Sequence, residues 1–347
     1  MGTFVLLALL AGAGYLFVYK RFAGPDHSRY DQPFLDLRKL PDEISDQHLA
    51  VVGRVRRFAR DSATTTAAAR IQMDEFLHQE VDATIENTVC NGVPGEWVTT
   101  ANSDPDKRLL YLHGGAFRVG SPLSHRYITS ELARRAGVSV LAIDYRMQPE
   151  YKTIACHEDA GTAYRWMLDN GPAGTDDVAG KVFVAGDAAG GNMTLALTAW
   201  VRDQPIQKID GAIAMAPLAD ATYSSPSFRR NLATDPFLGP ALGTFARIPP
   251  FLFAMFSSRN LGASPRSPEV SPLLGPLDGL PPTLLQVSNA EMLYDDAVRY
   301  YNKAREAGSP VELQVWPTLV HVFQAFGPEL PEAQDALSLQ ADFLKGC

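Results

Sequence analysis

The sequence predicts an α/β architecture in which a mostly parallel central sheet carries helices on both faces. The prediction rests first on alternation. Short β-rich runs at Lys107–His113, Val138–Asp144, Lys181–Gly186, Gly211–Pro217, Pro282–Ser288 and Val311–Trp316 are separated in several places by helical stretches near 156–170, 189–203, 293–308 and 331–345. It rests second on composition: 347 residues, 20 % charged and 46 % apolar, with glycines and prolines scattered rather than repeated, exclude disorder, collagen and coiled coil. With 31 Lys plus Arg against 39 Asp plus Glu, the net charge of −8 argues against nucleic acid as a partner.

Taken in order, the elements begin with an uncharged run from Gly2 to Tyr19, closed by Lys20-Arg21. As a helix it would reach ~27 Å, just short of a ~30 Å hydrocarbon core. Residues 1–21 are therefore expected to form a membrane anchor. The positive residues after it would place the body, residues 22–347, on the cytoplasmic side. Two alternatives stand beside this. Ala11-Gly12-Ala13 could mark a cleaved signal, although no basic segment precedes it, or the helix could pack on the body or on a second subunit. Residues 22–45 read as a polar, proline-dotted linker. Leu49, Val52, Val55 and Ala59 then fall on one helical face, with Arg54, Arg56, Arg57 and Arg60 mostly opposite. Such a face could meet lipid, with arginines at anionic headgroups, or close a pocket. Within the α/β region, residues 220–275 break the rhythm. They set Phe237, Leu238, Leu242, Phe245, Phe251, Leu252, Phe253, Met255 and Phe256 among prolines.

Three cysteines (Cys90, Cys156, Cys347) without a CxxC, and seven histidines without an HExxH pair, supply neither a disulfide framework nor a metal-ligand spacing. The Cys156-His157 neighbours would point apart on a helix. Glu158-Asp159 reads as a solvated helix start. Chemistry is concentrated elsewhere. His113-Gly114-Gly115-Ala116-Phe117 ends a strand, and its glycines let backbone N–H groups turn into a cavity, as an oxyanion hole requires. Gly186-Asp187-Ala188-Ala189-Gly190-Gly191 lies between a strand and a helix, the context of a nucleophile elbow. Its centre is Ala188, which has no atom able to attack a carbonyl. Glu291 follows the Pro282–Ser288 strand and His321 follows the last strand, where sites in open α/β sheets gather. Asp187 is expected to hold the elbow by hydrogen bonds, and Arg118 to make a surface or cap contact.

These motifs resemble the bacterial hormone-sensitive-lipase family of carboxylesterases (family IV), within the α/β-hydrolase superfamily. His113–Phe117 is similar to its HGGGF-type box and Gly186–Gly191 to GDSAGG with one change. Asp144-Tyr145-Arg146 with Pro149-Glu150 resembles its DYR-x-x-PE segment. Ser271-Pro272-Leu273, Leu280-Pro281-Pro282 and Val320-His321-Val322-Phe323 resemble its C-terminal half. The resemblance spans roughly residues 85–345. It implies an α/β-hydrolase fold with a helical cap from about 25–80 and parts of 220–275. It also implies a nucleophile at position 188, an acid at Glu291, a base at His321, and oxyanion donors at Gly114, Gly115 and Ala189.

Two departures accompany it. The family's acid is usually an aspartate, whereas the aligned residue here is Glu291. Asp295 is the alternative acid, and Asp295-Asp296 otherwise read as a charged first helical turn. Ala188 in an otherwise complete site reads as an engineered serine-to-alanine replacement. A natural pseudoenzyme or ligand-binding receptor on the same fold is the alternative. The expected substrate is a small hydrophobic ester contacted by Phe117 and Phe253, with no metal or organic cofactor.

Overall fold

In the computed structural model, which describes residues 2–32, 34, 45–61 and 63–347, one sheet runs through the molecule. Its strands are β1 (Thr84–Cys90), β2 (Val93–Thr99), β3 (Asp104–Leu112), β4 (Val138–Ile143), β5 (Lys181–Asp187), β6 (Gly211–Met215), β7 (Thr283–Ser288) and β8 (Val311–Trp316). They are hydrogen-bonded in the order β1-β2-β4-β3-β5-β6-β7-β8. From β4 to β8 every pairing is parallel, while β1 and β2 join as an antiparallel hairpin at one edge. That hairpin is absent from the sequence reading, yet it has a signal: Asn91 (φ 49°) and Gly92 (φ 95°) make the left-handed turn that tight hairpins favour.

The parallel strands are apolar on both faces because helices cover both. Leu109 and Tyr111 of β3 face a core shared with α4 (Pro122–Ala136) and α11 (Pro331–Gly346), through Ile128, Leu132, Ala336 and Leu337. Leu110 and Leu112, the alternating pair, face α5 (Thr153–Asp169) and α6 (Ala189–Asp203), through Tyr164, Met167 and Met193. At the far edge α10 (Tyr294–Glu306) packs Ala297, Val298 and Tyr300 against Leu285, Val287 and Val315. Helix α4, not expected from the sequence, starts on a Ser121–Ser124 capping box and stops at Gly137 (φ 72°).

Over the C-terminal ends of the strands lie α2 (Asp46–Arg60), α3 (Thr66–Leu77), α7 (Ser227–Arg230), α8 (Leu238–Leu242) and α9 (Pro250–Leu261). Of the segment 25–80 expected in a cap, residues 33, 35–44 and 62 lie outside the described residues. The packed face of α2 differs from the expected one. His48, Val51, Val55 and Ala59 are buried, while Leu49 is 55 % exposed. Val51 and Val55 belong to the main core, so this apolar face is not free to meet lipid. Helix α1 (Gly2–Phe22) lies on α9, with Tyr15 and Tyr19 each edge-on to Phe251 at 5.4 Å between ring centres. Among the described residues no helix is long and apolar enough to cross a membrane.

Candidate active site

Strand β5 ends at Asp187 and α6 begins at Ala189, so one residue makes the whole turn. Ala188 takes φ 49° and ψ −108°, a conformation that costs a side-chain-bearing residue free energy and persists only when its surroundings enforce it. They do. The Ala188 N–H donates to Met215 O at 2.8 Å, and its carbonyl accepts from Asn192 N at 3.0 Å and Leu218 N at 3.3 Å. The flanking glycines are steric requirements: a Cβ on Gly190 would strike the Leu112 carbonyl, and one on Gly186 the Gly190 carbonyl. The Cβ of Ala188 is thereby presented to a cavity that His321 also lines.

Beyond β7 and β8 the chain brings Glu291 and His321 together. Glu291 Oε2 lies 2.5 Å from His321 Nδ1, and Oε1 accepts from Ser288 N at 2.7 Å. Both side chains are buried. Burial disfavours the imidazolium, but the Glu291 carboxylate outweighs it and holds His321 above its ordinary value of 6.5. The alternative acid is engaged elsewhere: Asp295 accepts from Ser227 N at 2.7 Å and Arg230 at 3.1 Å. Asp296 accepts from Ala219 N at 2.7 Å and Asp220 N at 3.0 Å. Neither is a solvated first-turn charge, since both are buried.

The glycine turn corrects one expectation. The Gly114 N–H donates to Asp187 Oδ1 at 3.0 Å and so does not point at a substrate oxygen. The N–H groups of Gly115, Ala116 and Ala189 have no acceptor among the described residues, and all three residues line the cavity beside Ala188. Ala116, part of the motif but not among the donors expected from it, thus stands where Gly114 was expected. Its left-handed φ of 54°, with 114° at Gly115 and 59° at Phe117, is what turns the loop inward.

Asp187 is the hub that joins elbow to turn. Its Oδ1 also accepts from Tyr111 Oη at 2.7 Å, and Oδ2 lies 3.4 Å from His125 Nε2. Burial opposes the carboxylate, but His125 and these donors bring its pKa below the ordinary range. His113 is pushed down to about 3, first by burial and then by its neighbour His125, so it is a neutral structural group. Its ring stacks on Tyr145 at 4.2 Å, and Tyr145 Oη donates to the His113 carbonyl at 2.7 Å.

The cavity holds about 570 Å³. Phe117 and Phe253 both line it, Phe253 packing edge-on against Tyr223 at 4.5 Å. Phe58 of α2 stacks toward Phe237 at 5.8 Å, and Phe237 lies 6.0 Å from the His321 ring, which roofs that imidazole with aromatic surface. Arg118 also lines the cavity, and its carbonyl accepts from Arg70 of α3 at 2.9 Å. Asn231 and Asp235 escaped the sequence reading. Asn231 donates to the carbonyls of Asn289 and Glu291 at 2.8 and 2.7 Å, and Asp235 accepts from Met292 N at 3.0 Å, so residues 220–275 grip the loop that carries Glu291. Cys156 is buried against the Arg146 carbonyl, away from His chemistry. Asp159 is buried and clamped by Arg146 at 2.7 Å rather than solvated.

Residues 109–325 match the family described as the alpha/beta hydrolase fold. The chain belongs to that family, in its hormone-sensitive-lipase-like branch of esterases. An acetyl-hydrolase of Streptomyces hygroscopicus is 38 % identical over 250 residues, covering 72 % of this chain and 79 % of that protein. An esterase of Acinetobacter venetianus is 34 % identical over 253 residues, covering 73 % and 78 %. Among solved structures, an esterase of the bacterial hormone-sensitive lipase family superposes with a TM-score of 0.77 at 33 % identity, over 88 % of this chain and 99 % of that one. The sheet and its covering helices are thus family architecture, and these relatives are named as esterases and an acetyl-hydrolase.

Proposed function

We propose that this chain is the scaffold of a serine carboxylesterase in which alanine has replaced the nucleophile at position 188, so that it binds carboxylic esters without cleaving them. The observation that carries this reading is the convergence of three features on one apolar cavity: a strained elbow at Ala188, the His321–Glu291 pair, and three N–H groups left without acceptors. With serine at 188, His321 would take the hydroxyl proton as oxygen attacked the carbonyl carbon. Glu291 would fix the imidazole tautomer and stabilise the imidazolium. The amides of Gly115, Ala116 and Ala189 would receive the developing oxyanion, each worth roughly 3 kcal/mol in such a site. His321 would return the proton to the leaving alcohol, then activate water to release the acyl group.

The aromatic lining favours a small hydrophobic ester, with Phe117 and Phe253 as substrate contacts. Ala188→Ser tests the reading directly. The variant should hydrolyse p-nitrophenyl butyrate with turnover while the present chain does not. A folded Ala188→Ser protein that stays inert would instead support a ligand-binding receptor.

Helix α1 supports a further part of this reading, association with a membrane on its cytoplasmic side. One side of α1 docks on Phe251, while Leu16 and Phe17 remain 55 % and 67 % exposed and Lys20-Arg21 follow. Replacing Leu16 and Phe17 with serine should release the full chain from vesicles, and unchanged binding would remove α1 from that role.

A further inference from the structure

A second cavity of about 760 Å³ opens on the surface beside α8 and is lined by Arg56, Arg60, Arg229, Arg230 and Arg247. One carboxylate, Asp235, shares it, but that group is buried and already accepts from Phe237 N at 3.0 Å, Leu238 N at 2.9 Å and Met292 N at 3.0 Å. Arg230 is paired with Asp295 at 3.1 Å, and Arg229 donates to the Ile248 carbonyl. Arg56, Arg60 and Arg247 have no acidic partner among the described residues. In a chain of net charge −8, a concave surface with this excess of guanidinium groups runs against the average field. Like charges converging without counter-charges repel one another, and planar guanidinium forks match phosphate oxygens in geometry and charge.

We infer that this arginine-lined cleft is a binding site for a phosphate group, separate from the ester cavity. The wall between the two is α8: Leu238 and Leu242 face the ester cavity, and Gly239 and Gly243 the cleft. The arginines come from three places, α2, α7 and the turn at Arg247, so an anion there would tie cap segments together. The phosphate could be that of an anionic lipid headgroup or of a soluble phosphorylated molecule. Both present the same oxygens to the same forks.

The test uses the full chain and its Arg60→Gln/Arg247→Gln variant, whose altered side chains are exposed and should leave folding and melting in chloride unchanged. Inorganic phosphate is titrated calorimetrically at constant ionic strength, and flotation is compared on phosphatidylglycerol and phosphatidylcholine vesicles. Saturable phosphate binding, weakened about tenfold or more in the variant, is expected. If the full chain also prefers phosphatidylglycerol vesicles and the variant loses that preference, the phosphate is a headgroup. If phosphate binds but vesicle charge makes no difference, it belongs to a soluble ligand. Phosphate binding that is absent from the full chain, or unaltered in the variant, overturns the site.

Discussion

The Gly114 amide donates to Asp187 Oδ1 at 3.0 Å, so the residue preceding the elbow also holds the glycine turn opposite it. Position 188 and the amides of the glycine turn are therefore not set independently. Asp187→Ala, placed in the Ala188→Ser background, would remove the acceptor shared by the Tyr111 hydroxyl, the Gly114 amide and His125. Leaving such buried donors unsatisfied costs roughly 1–3 kcal/mol. Melting temperature should fall, and kcat should fall more than KM rises, because the oxyanion amides would move while the cavity walls stay. An unchanged kcat with intact folding would detach Asp187 from the turn.

The acid is the second test. In the serine-restored protein Glu291→Gln should lower kcat by about four orders of magnitude, the scale seen when a triad histidine is left in the wrong tautomer. Asp295→Asn should act through stability, because its carboxylate holds Ser227 and Arg230 rather than His321. A larger kinetic loss from Asp295→Asn than from Glu291→Gln would reverse the assignment.

The parts of this site that the sequence carries are those with a side-chain signature. Strand alternation, the small residues of the elbow, and Glu291 and His321 after successive strands are all local and readable. What the sequence hides is backbone direction. Nothing in the letters Gly114-Gly115-Ala116 says which amide points inward, since that depends on Asp187, distant in the chain, capturing the first. The packed side of α2 is hidden for a related reason. Periodicity defines a stripe, but which flank meets the core is decided by the partner surface, which accepts Val51 and His48 and leaves Leu49 outside. The β1–β2 hairpin has a local cue in Asn91-Gly92, whose left-handed turn lies outside the alternation of strands and helices.

The shifted histidine sets a pH dependence. In the proposed mechanism His321 can act as base only when neutral, and the Glu291 carboxylate raises its pKa above 6.5. Activity of the Ala188→Ser protein should therefore be lost as pH falls through a midpoint above 6.5. Removing the carboxylate leaves burial as the main influence, which lowers the pKa, so the residual activity of Glu291→Gln should have its acid limb at lower pH than the parent. Profiles of kcat/KM that coincide would show that the pair is not the titrating unit.

Phe253, proposed above as a substrate contact, lines the cavity. Its ring fills space against Tyr223 and Phe228, and truncation to alanine would enlarge the cavity at a stability cost of about 2 kcal/mol for a half-buried aromatic. In the serine-restored enzyme, Phe253→Ala should shift the kcat/KM optimum toward longer acyl esters. A parallel loss across acetate, butyrate and octanoate esters would place Phe253 in packing alone.

Arg70 connects the cap to the chemistry. From α3 it donates Nη2 to Glu150 at 2.7 Å and to the Gln148 carbonyl at 2.9 Å, and Nε to the Arg118 carbonyl at 2.9 Å. Gln148 N in turn donates to Phe117 O at 2.8 Å, so one guanidinium spans the cap and the end of the oxyanion turn. The Glu150 pair is partly exposed and by itself contributes no more than about 1 kcal/mol. The two carbonyl bonds, the one to Gln148 partly buried and the one to Arg118 exposed, tie α3 to the turn, and α3 contributes Ala69, Met73 and Leu77 to the cavity wall. Arg70→Ala in the serine-restored protein should thus raise KM for p-nitrophenyl butyrate several-fold while kcat and melting temperature change little. Arg70→Lys should not rescue it, because a single ammonium cannot reproduce the planar fork. Full rescue by lysine would mean that charge, rather than the three-point geometry, keeps α3 in place.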